Sequence, residues 1–443
     1  MVLLKKYQNK KIAIYGMGKS GCSVAKELKN QNSKLFCWDD SINVRKKVKK
    51  LKLPIDKFWL NKKISFDYIV ISPGIDIRKC KISVFLKKNI KKIITDLDLF
   101  FEINKNETII SITGTNGKST TCKIIEHILK KAGYNVKTGG NIGIPALSLK
   151  KSKTKNIFVL EVSSYQLEYS KLFRSKHAAI LNISPDHLER HKNISNYTKI
   201  KLKIFLAQKK TDYSYINYKG EYSKIVKKIF KKRKLNSKLV KVNHNNFDIL
   251  YQKIDNNYFK GKAHKENLAF AFNIVKNLKV NNSKIVSALN DFKGLPHRQE
   301  HVYSDKRLVC INDSKATSFQ ASIQSLLIYD KIYWIVGGLA KRKDNFDLKN
   351  VRKKIIKAYI IGKNSSFFEN QIRKKLKFQV SGNLKRALKH ILNDIKKNTK
   401  QKSTILLSPA AASYDQFTNF ENRGEYFKKL IKRRIKQGSN VYI

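Results

Sequence analysis

The stretch Ser111–Thr121, SITGTNGKSTT, lies between an apolar run and a run with helical periodicity. Its core, Gly114–Ser119, has the composition of a phosphate-binding loop, whose widespread pattern is G-x-x-x-x-G-K-[ST]. That pattern requires a glycine at the position of Ile112, so this loop is one spacer shorter. The sequence therefore predicts a strand, a shortened phosphate loop and a helix in an α/β domain.

Backbone N–H groups at the start of a helix bind anions, and Lys118 adds a positive charge beside the β- and γ-phosphates. Ser119 or Thr120 can place a hydroxyl on Mg²⁺. We expect ATP or GTP in this loop, because a helix with one apolar face follows it over residues 119–131. The predicted nucleotide contacts here are Gly114, Thr115, Asn116, Gly117, Lys118, Ser119 and Thr120.

Length and composition restrict the class of protein. A chain of 443 residues with 41% hydrophobic residues suits two or three globular domains. No apolar run approaches the roughly 18 residues of a membrane helix, and the N-terminus lacks the apolar core of a signal peptide. We therefore expect a cytoplasmic protein without membrane contact. The five cysteines include no C-x-x-C pair, which favours reduced thiols over disulfides or zinc.

The formal net charge of +62 is high enough to suggest a nucleic-acid surface. The lysines, however, are spread along every segment and form no stripe interleaved with aromatic residues. Lys, Asn and Ile are abundant while Pro, Met and Trp are scarce, which is typical of drift towards AT-rich codons. We favour drift over nucleic-acid binding, although such a charge attracts any anionic substrate.

The first segment, residues 1–93, has a Rossmann-type pattern. The strand in KKIAIYG is followed by Gly16, Gly18 and Gly21, a helical run and a second strand ending at Asp39 and Asp40. Glycines permit the tight turn, the helix N-terminus faces a phosphate, and an acid can bind a ribose or base. An ordinary glycine-rich turn is the alternative interpretation. A further strand ends in Ser-Pro-Gly at 72–74, where such sheets bind ligands.

Strands and helices also alternate in the second segment, 94–296, and in the third, 297–443. In the second we predict strands in ETIISIT, NIFVLEVSSYQLE and HAAILNISPDHLERH; in the third, in RLVCIND, KIYWIVGG, KAYIIG and STILLSP. The predicted fold is thus α/β with three domains. A Rossmann-like N-terminal domain precedes a central ATPase domain with a mostly parallel sheet and a Rossmann-like C-terminal domain.

Two strand ends supply metal candidates. Glu161 ends IFVLE and His187 ends AAILNISPDH, so in a parallel sheet both would project towards the crevice that holds the phosphate loop. A carboxylate suits Mg²⁺, and histidine is a less usual ligand. A helix-capping acid and a loop histidine are equally good interpretations of these two residues alone.

Seven ordered motifs, TGTNGKSTT, GGNIG, LEVSSYQLE, LNISPDHLERH, GLPHRQE, INDSKATS and LLSPAAASYDQFTNFENRGEYF, resemble those of the Mur ligases. The resemblance covers all three segments and is strongest to the D-glutamate-adding branch. It implies a ligase that uses ATP to convert the terminal carboxylate of UDP-N-acetylmuramoyl-L-alanine into an acyl phosphate. The amine of D-glutamate then attacks and phosphate leaves, in the cytoplasmic part of peptidoglycan synthesis.

The same resemblance implies two Mg²⁺ sites. Ser119 and Glu161 would hold one ion, while His187 and a carbamylated lysine would hold the second. Alignment on Tyr197 selects Lys201 as that lysine, with Lys199 and Lys203 as rivals. The implied catalytic residues are Lys118, Glu161, His187 and Lys201.

Further contacts follow from the resemblance. The nucleotide would also meet Asn267, Arg298, Asp313 and Lys315, although the His-Asn pair usual upstream of Asn267 is replaced by Ala263-His264. The UDP-substrate would bind Gly18, Lys19, Ser20, Asp39, Ser72, Pro73, Gly74 and Asn141. The D-glutamate site would contain Thr317, Lys341, Ser413, Phe420 and Arg423; Lys343 rivals Lys341, and Phe420 is equally explained as a core residue.

Other functions remain open at this level. A ligase of the same superfamily could add another amino acid, whereas a folylpolyglutamate synthase would lack the N-terminal UDP-type domain. A nucleic-acid-dependent ATPase would use the +62 charge and show salt-sensitive binding. A dehydrogenase would use the first glycine loop but leave the second unexplained. We expect a monomer.

Overall fold

The computed structural model describes residues 5–61, 63–217, 225, 226, 228, 235–243, 247–259, 262–340, 345–397 and 402–436. The chain forms two compact units, 1–292 and 293–443. Two parallel sheets lie in the first unit and one mostly parallel sheet lies in the second, which confirms the predicted α/β class. The predicted limits 1–93, 94–296 and 297–443 stay predictions; the last strand of the first sheet spans residues 93 and 94.

The first sheet has the order β2-β1-β3-β4, with all pairs parallel. Its strands are β1 Lys11–Tyr15, β2 Lys34–Trp38, β3 Tyr68–Ile71 and β4 Ile93–Ile94, and its helices are α1 Lys19–Asn30, α2 Ile42–Lys50 and α3 Ser83–Lys88. Residues 12–15 of β1 are fully buried, as expected for a central strand covered on both faces. The glycine loop follows β1 and therefore lies at the side of the sheet where the carboxyl ends of the strands meet.

The second sheet has the order β10-β9-β8-β5-β7-β6 and is also parallel throughout. Its strands are β5 Thr108–Thr113, β6 Val136–Gly140, β7 Ile157–Glu161, β8 His177–Ile180, β9 Tyr213–Asn217 and β10 Lys238–Val242. The helices are α4 Asp96–Asn104, α5 Lys118–Lys131, α6 Ser164–Glu168, α7 Leu188–His191, α8 Ile194–Lys201, α9 Asp248–Tyr251, α10 Lys262–Asn277 and α11 Asn282–Asn290. Because β7 and β8 flank β5, their carboxyl ends lie beside the phosphate loop.

The third sheet, in the second unit, has the order β11-β12-β16-β13-β14-β15, in which only the pair β11-β12 is antiparallel. The strands are β11 Glu300–Ser304, β12 Leu308–Asn312, β13 Ile332–Gly337, β14 Ile355–Ile361, β15 Phe378–Gly382 and β16 Ser403–Leu407. The helices are α12 Phe319–Ile328, α13 Ser365–Ile372, α14 Leu384–Lys397 and α15 Phe420–Lys436. Two apolar cores, one on each face, sandwich this sheet.

Two predicted strands are too long. The strand predicted in NIFVLEVSSYQLE ends at Glu161, because Ser163 and Gln166 form a reciprocal capping box that begins α6. The strand predicted in HAAILNISPDHLERH ends at Ile180, and its last four residues are helical. After Ile180 the chain leaves the sheet, and Asn182 and Ser184 hydrogen bond to Thr115 of the phosphate loop instead of to a neighbouring strand.

A single carboxylate fixes a loop of the second sheet. Asp98 in α4 is fully buried, and one of its oxygens accepts hydrogen bonds from Ser170 Oγ and from the backbone N–H groups of Lys171, Leu172 and Phe173 at 2.7–3.0 Å. Its other oxygen closes the capping box with Thr95. The loop before β8 is thus anchored to α4 without any strand pairing.

All five cysteines are free thiols in the structure, and three of them are buried. Burial raises the pKa of the Cys37 thiol to about 12. Among the helices that the structure describes, none combines the length and apolar character needed to cross a bilayer.

Candidate functional site

The phosphate loop joins β5 to α5, as the sequence predicts. Gly117 caps α5 with φ +83°, and a Cβ there would lie 2.1 Å from Asn267 Oδ1. Glycine is needed both for the left-handed backbone and for this close approach. The predicted nucleotide residue Asn267 therefore lies directly against the loop.

Asn182, which our sequence interpretation missed, holds the loop in shape. Its Oδ1 accepts hydrogen bonds from the backbone N–H groups of Thr115 and Asn116 at 3.1 and 2.9 Å. Its Nδ2 donates to the carbonyl of Asn116 at 3.2 Å. An amide is suited to this role because it presents one acceptor and two donors. Its position just after β8, beside β5, is the signal that could have identified it.

The Lys118 ammonium lies on the loop itself. It donates to the carbonyl oxygens of Gly114 and Thr115 at 2.9 and 2.8 Å. A cation held at the start of α5 adds to the positive end of the helix dipole. This combination of loop, lysine and helix can bind a polyphosphate.

Ser119 and Glu161 meet as the order of the strands predicts. Ser119 Oγ donates to Glu161 Oε2 at 2.6 Å, and Asn141 Nδ2 donates to Glu161 Oε1 at 2.8 Å. A hydroxyl and a carboxylate are oxygen ligands that suit Mg²⁺. Among the described residues, no group of three or more histidine, cysteine, aspartate or glutamate side chains is arranged so that it could hold a metal ion by itself. An ion here would therefore rely on few protein ligands and on substrate phosphates, which is usual for Mg²⁺.

Lys201 ends α8 and is 1% exposed. Its Nζ donates to Gly114 O at 2.9 Å and Thr113 Oγ1 at 3.3 Å. Burial, and secondarily the charge of Lys118, holds the pKa of Lys201 well below its usual range. The rival Lys199 is exposed, and the rival Lys203 donates to Glu168 O at 2.5 Å. Of the three lysines, only Lys201 has a hydrogen bond to the phosphate loop among these contacts.

His187 does not end a strand, contrary to the prediction. It caps α7 with a left-handed backbone, φ +53°. Its ring pairs with Asp186 at 3.4 Å and Glu189 at 3.6 Å, and it lies 4.9 Å from the Tyr165 ring. The turn that carries it reaches the phosphate loop through Ser184, whose N–H donates to Thr115 Oγ1 at 3.0 Å.

Two side chains, Ser72 and Asp39, hydrogen bond to the backbone of the first glycine loop. Gly16 has φ +92°, and a Cβ there would lie 2.8 Å from Ser72 Cβ; Ser72 Oγ donates to Gly16 O at 2.6 Å. Asp39 accepts from the N–H groups of Met17 and Ser41 at 2.7 and 2.8 Å. The structure thus brings the predicted residues Asp39 and Ser72 together on this loop, where Asp39 also has a structural role.

Asp96 lies at the start of α4 and is buried, which raises the pKa of its carboxyl to about 6. Gln166 of α6 and Ser20, in the first turn of α1, are close enough to oppose that rise in part. Gly18 and Lys19 are exposed at the first glycine loop. Pro73 and Gly74 directly follow Ser72 in the sequence.

In the second unit, Asp313 follows β12 and is buried. Its Oδ2 accepts hydrogen bonds from Ser325 Oγ and Ser408 Oγ at 2.6 and 2.8 Å. Burial raises the pKa of Asp313 to about 6, although Arg298 lowers it by its charge. The Nε atom of Arg298 is buried and has no hydrogen-bond partner in the part of the chain that the structure describes.

Arg423 lies in α15 and is 1% exposed. Its guanidinium donates to Ser314 Oγ, Ser314 O and Ala411 O at 2.8–3.0 Å. Its Nη1, 3.4 Å from where a Cβ on Gly338 would lie, has no hydrogen-bond partner among the described residues. Burial lowers the pKa of Arg423 to about 10, so the side chain is a cation at neutral pH.

The remaining candidates are Lys315, predicted to bind the nucleotide, and the other residues predicted to bind the amino acid. Lys315 lies 5.2 Å from the Phe420 ring centroid, and Phe420 is half-buried at the start of α15. Thr317 is half-buried and Ser413 is buried. Lys341 and its rival Lys343 lie outside the described residues.

Comparisons with known proteins identify the family of this chain. The family model for the Mur ligase middle domain matches residues 112–289, and the model for the Mur ligase MurD-like N-terminal domain matches residues 10–94. The chain belongs to the Mur ligase family. The matched ranges include the glycine loop, the phosphate loop, Glu161 and Lys201, so the family resemblance inferred from the motifs is confirmed.

Curated relatives match nearly the whole chain. The UDP-N-acetylmuramoylalanine--D-glutamate ligase of Rickettsia prowazekii is 36% identical over 96% of this chain and 99% of the relative. The protein of that name from the Wolbachia of Brugia malayi is 32% identical over 97% of each. These relationships confirm the predicted enzyme class, an ATP-dependent ligase of peptidoglycan precursors.

Solved Mur ligases share the fold. The MurC structure from Thermotoga maritima matches 97% of this chain and 100% of its own, with a TM-score of 0.54 and 16% identity. The ADP complex of MurF from the same organism matches 98% of each chain, with a TM-score of 0.55 and 15% identity. At these identities the likeness establishes the architecture only.

Proposed function

We propose that this Mur ligase joins D-glutamate to UDP-N-acetylmuramoyl-L-alanine with hydrolysis of ATP to ADP and phosphate, in a cytoplasmic step of peptidoglycan synthesis. The names of the curated relatives support the choice of substrates. The observation that carries the chemistry is the phosphate loop with Lys118, Ser119, Glu161 and Lys201 in hydrogen-bond contact with it or with one another.

The first step of the reaction brings two anions together, the carboxylate of the precursor and the γ-phosphate of ATP. The carboxylate of the nucleotide precursor attacks the γ-phosphorus of ATP, giving an acyl phosphate and ADP; the D-glutamate amine then attacks the acyl carbon and phosphate leaves. Repulsion between carboxylate and phosphate makes the first step slow without nearby cations. Lys118 and the N–H groups of the loop stabilise the transferring group electrostatically, and the binding sites align the reacting atoms.

Ser119 and Glu161 provide oxygen atoms that fit a first Mg²⁺, and Lys201 with His187 would serve a second. Lysine reacts with CO₂ only as the neutral amine, which the lowered pKa of the buried Lys201 favours. When bound, Mg²⁺ would neutralise phosphate charge and a carbamate on Lys201 would supply an anionic oxygen ligand. Asn141 holds the Glu161 carboxylate in place by donating to Oε1, the oxygen that does not accept from Ser119.

D-Glutamate carries two carboxylates, so its site requires cations. Arg423 supports this assignment in the second unit, because its buried Nη1 retains an unused donor. Thr317, Ser413 and Phe420 complete the proposed site, together with Lys341 or Lys343. Arg298, Asp313 and Lys315 are assigned to the nucleotide.

The UDP end of the precursor is assigned to the first glycine loop. Gly18, Lys19 and Ser20 at the start of α1 would face its phosphates, together with Ser72, Pro73 and Gly74. Asp39 would contact the uridine, and Asn141 would contact the diphosphate or the acyl end. The protein would act as a monomer.

Phosphate release from ATP tests the proposal. We would incubate the protein with UDP-N-acetylmuramoyl-L-alanine and, in parallel, D-glutamate, L-glutamate, L-lysine or meso-diaminopimelate. Release that requires both the precursor and D-glutamate is the expected result. Release with a different amino acid would change the proposed specificity, and release stimulated by polynucleotide alone would contradict the proposed function.

A further inference from the structure

Four charged side chains form a second polar cluster in the first unit. This Arg190 cluster consists of Asp76, Arg78, Glu168 and Arg190. Arg190 Nε and Nη2 both lie 2.7 Å from Glu168 Oε2, and Arg78 Nη2 lies 3.3 Å from Glu168 Oε1. The side chains of Arg190 and Glu168 are only 8% and 7% exposed.

Arg190 connects two segments that are far apart in sequence. Its Nη2 also donates to Ile75 O at 2.6 Å, and its Nη1 is 3.5 Å from Gly74 O. Arg78 donates in return to Arg190 O at 2.7 Å. The loop after β3 and helix α7 are therefore held together by hydrogen bonds in both directions.

These two segments carry residues of the proposed reaction. Ser72, Pro73 and Gly74, assigned to the diphosphate, begin the loop, and His187 caps α7. The Arg190 guanidinium lies 5.4 Å from the Tyr165 ring centroid, and that ring lies 4.9 Å from His187. Contacts thus run continuously from the diphosphate loop through Arg190 and Tyr165 to His187.

Stability alone is a poor explanation for such a cluster. A buried ion pair has a desolvation cost that largely offsets its attraction, so apolar side chains could fill the same space at similar stability. What the charged pair supplies is direction, because a planar guanidinium bonds carbonyl and carboxylate groups at fixed angles. The cluster is suited to holding two segments at one separation.

We infer that Arg190 is a positioning residue of the ligase: it holds the loop 72–78 against α7 and so fixes the distance between the diphosphate site and the phosphate loop. The inference rests on the proposed function. A substrate bound at both ends brings its carboxylate to ATP only if the two sites are correctly spaced. Misplacement by about 1 Å can reduce the rate by about 10²-fold.

The test compares Arg190→Met with Arg174→Met in the full-length protein. Arg174 is the matched control because it binds the buried Asp212 with two hydrogen bonds of 2.7 and 3.0 Å. Both Arg174 and Asp212 precede their strands, β8 and β9, and so lie at the sheet edge opposite the phosphate loop. Loss of either arginine should lower the thermal midpoint to a comparable degree.

The kinetic constants separate positioning from stability. For Arg190→Met we expect about a tenfold weaker affinity for UDP-N-acetylmuramoyl-L-alanine by calorimetry and a kcat lower by about 10²-fold, with KM for ATP within about twofold. Arg190→Lys should fall between this variant and the wild type, since lysine keeps the charge without the planar fork. Arg174→Met should keep all three constants.

Glu168→Gln provides a milder variant should Arg190→Met not fold; it should shift precursor affinity and kcat in the same direction by a smaller factor. If the wild type turns over but the cluster variants change only the thermal midpoint, the inference is wrong and the function stands. Equal weakening of ATP and precursor would also contradict it. If the wild type shows no turnover with any amino acid while Arg190→Met still loses precursor affinity, the proposed function fails and the positioning role stands.

Discussion

The phosphate-loop site of the first unit and the cation cluster of the second, Arg298 and Arg423, differ in how their hydrogen-bonding groups are partnered. At the phosphate loop, Lys118 bonds two carbonyls and Glu161 accepts from both Ser119 and Asn141. In the second unit, buried nitrogens of Arg298 and Arg423 have no hydrogen-bond partner within the described ranges.

Buried donors without partners cost free energy, so each one requires an explanation. The phosphate loop is a preformed site whose shape the protein maintains by its own hydrogen bonds. The cation cluster retains donor capacity, which anionic ligands can satisfy. This difference supports our proposal that the first unit activates a phosphate and the second binds anionic groups.

Loss of the cation at the preformed site should have the largest effect. Lys118→Ala is expected to reduce kcat by about 10³-fold or more, because the transferring phosphate loses its nearest side-chain cation. Affinity for the UDP-precursor should stay within about twofold, measured by calorimetry. Lys123→Ala is the control on the same helix, where the lysine pairs with Glu126. A Lys118 variant that keeps most of its turnover would exclude this loop from catalysis.

Lys201→Ala tests whether the buried lysine belongs to the preformed site. We expect a loss of about 10²-fold in kcat, partly restored by millimolar acetate, which can replace carbamate oxygens. The exposed Lys199, on the same helix, provides the control variant Lys199→Ala. Absence of rescue at every acetate concentration would argue against a carbamate at Lys201.

Arg423→Lys tests the cation cluster. The substitution keeps the charge but removes the fork that bonds Ser314 and Ala411, so KM for D-glutamate should rise about tenfold or more. KM for ATP should change little. Arg433→Lys, at an exposed position of the same helix, should have no effect. If both KM values rose together, Arg423 would have a general structural role.

The smallest predicted effect concerns stability. The pKa of Asp313 in the folded protein, about 6, exceeds the ordinary aspartate value of 3.8, so its contribution to stability is fully present below pH 3.8 and is lost as pH rises through 6. Asp313→Asn should therefore gain on the order of 2 kcal/mol relative to the wild type between pH 4 and pH 7.5. Denaturant unfolding at both pH values measures this.

Asp305→Asn is the control of opposite sign. Burial raises the pKa of Asp305, but hydrogen bonds from Tyr303 and two backbone N–H groups outweigh burial and lower it. That variant should lose stability relative to the wild type as pH rises. A pH-independent difference for Asp313→Asn would contradict the role of the buried charge.

Much of the phosphate-loop site was predictable because its geometry is encoded by consecutive residues. Gly117, Lys118 and Ser119 stand in one turn, and the rule that parallel strands end at one edge placed Glu161 beside them. The roles of Asn182 and Arg190 were not predictable, since their partners Thr115 and Ile75 lie 67 and 115 residues away. Only the fold brings those groups together.

Other errors came from signals that the sequence contained. Ser163 and Gln166 have the spacing of a capping box, which predicts the helix that we interpreted as strand. Ser-Pro-Asp at 184–186 is a turn signal that should have ended the strand before His187. We did not predict the strands β11 and β15. They lie at the edges of their sheet, where exposed polar residues weaken the apolar pattern that identifies a strand.

The carboxylate of Asp98 gives a loop the dynamics of secondary structure. The amides of Lys171, Leu172 and Phe173 donate to one buried oxygen, so each can exchange with solvent deuterium only when it separates from that oxygen. Their exchange should therefore be as slow as that of strand amides, although no ladder contains them. One acidic side chain thereby extends the cooperative folding unit of the second sheet across residues that form neither helix nor strand.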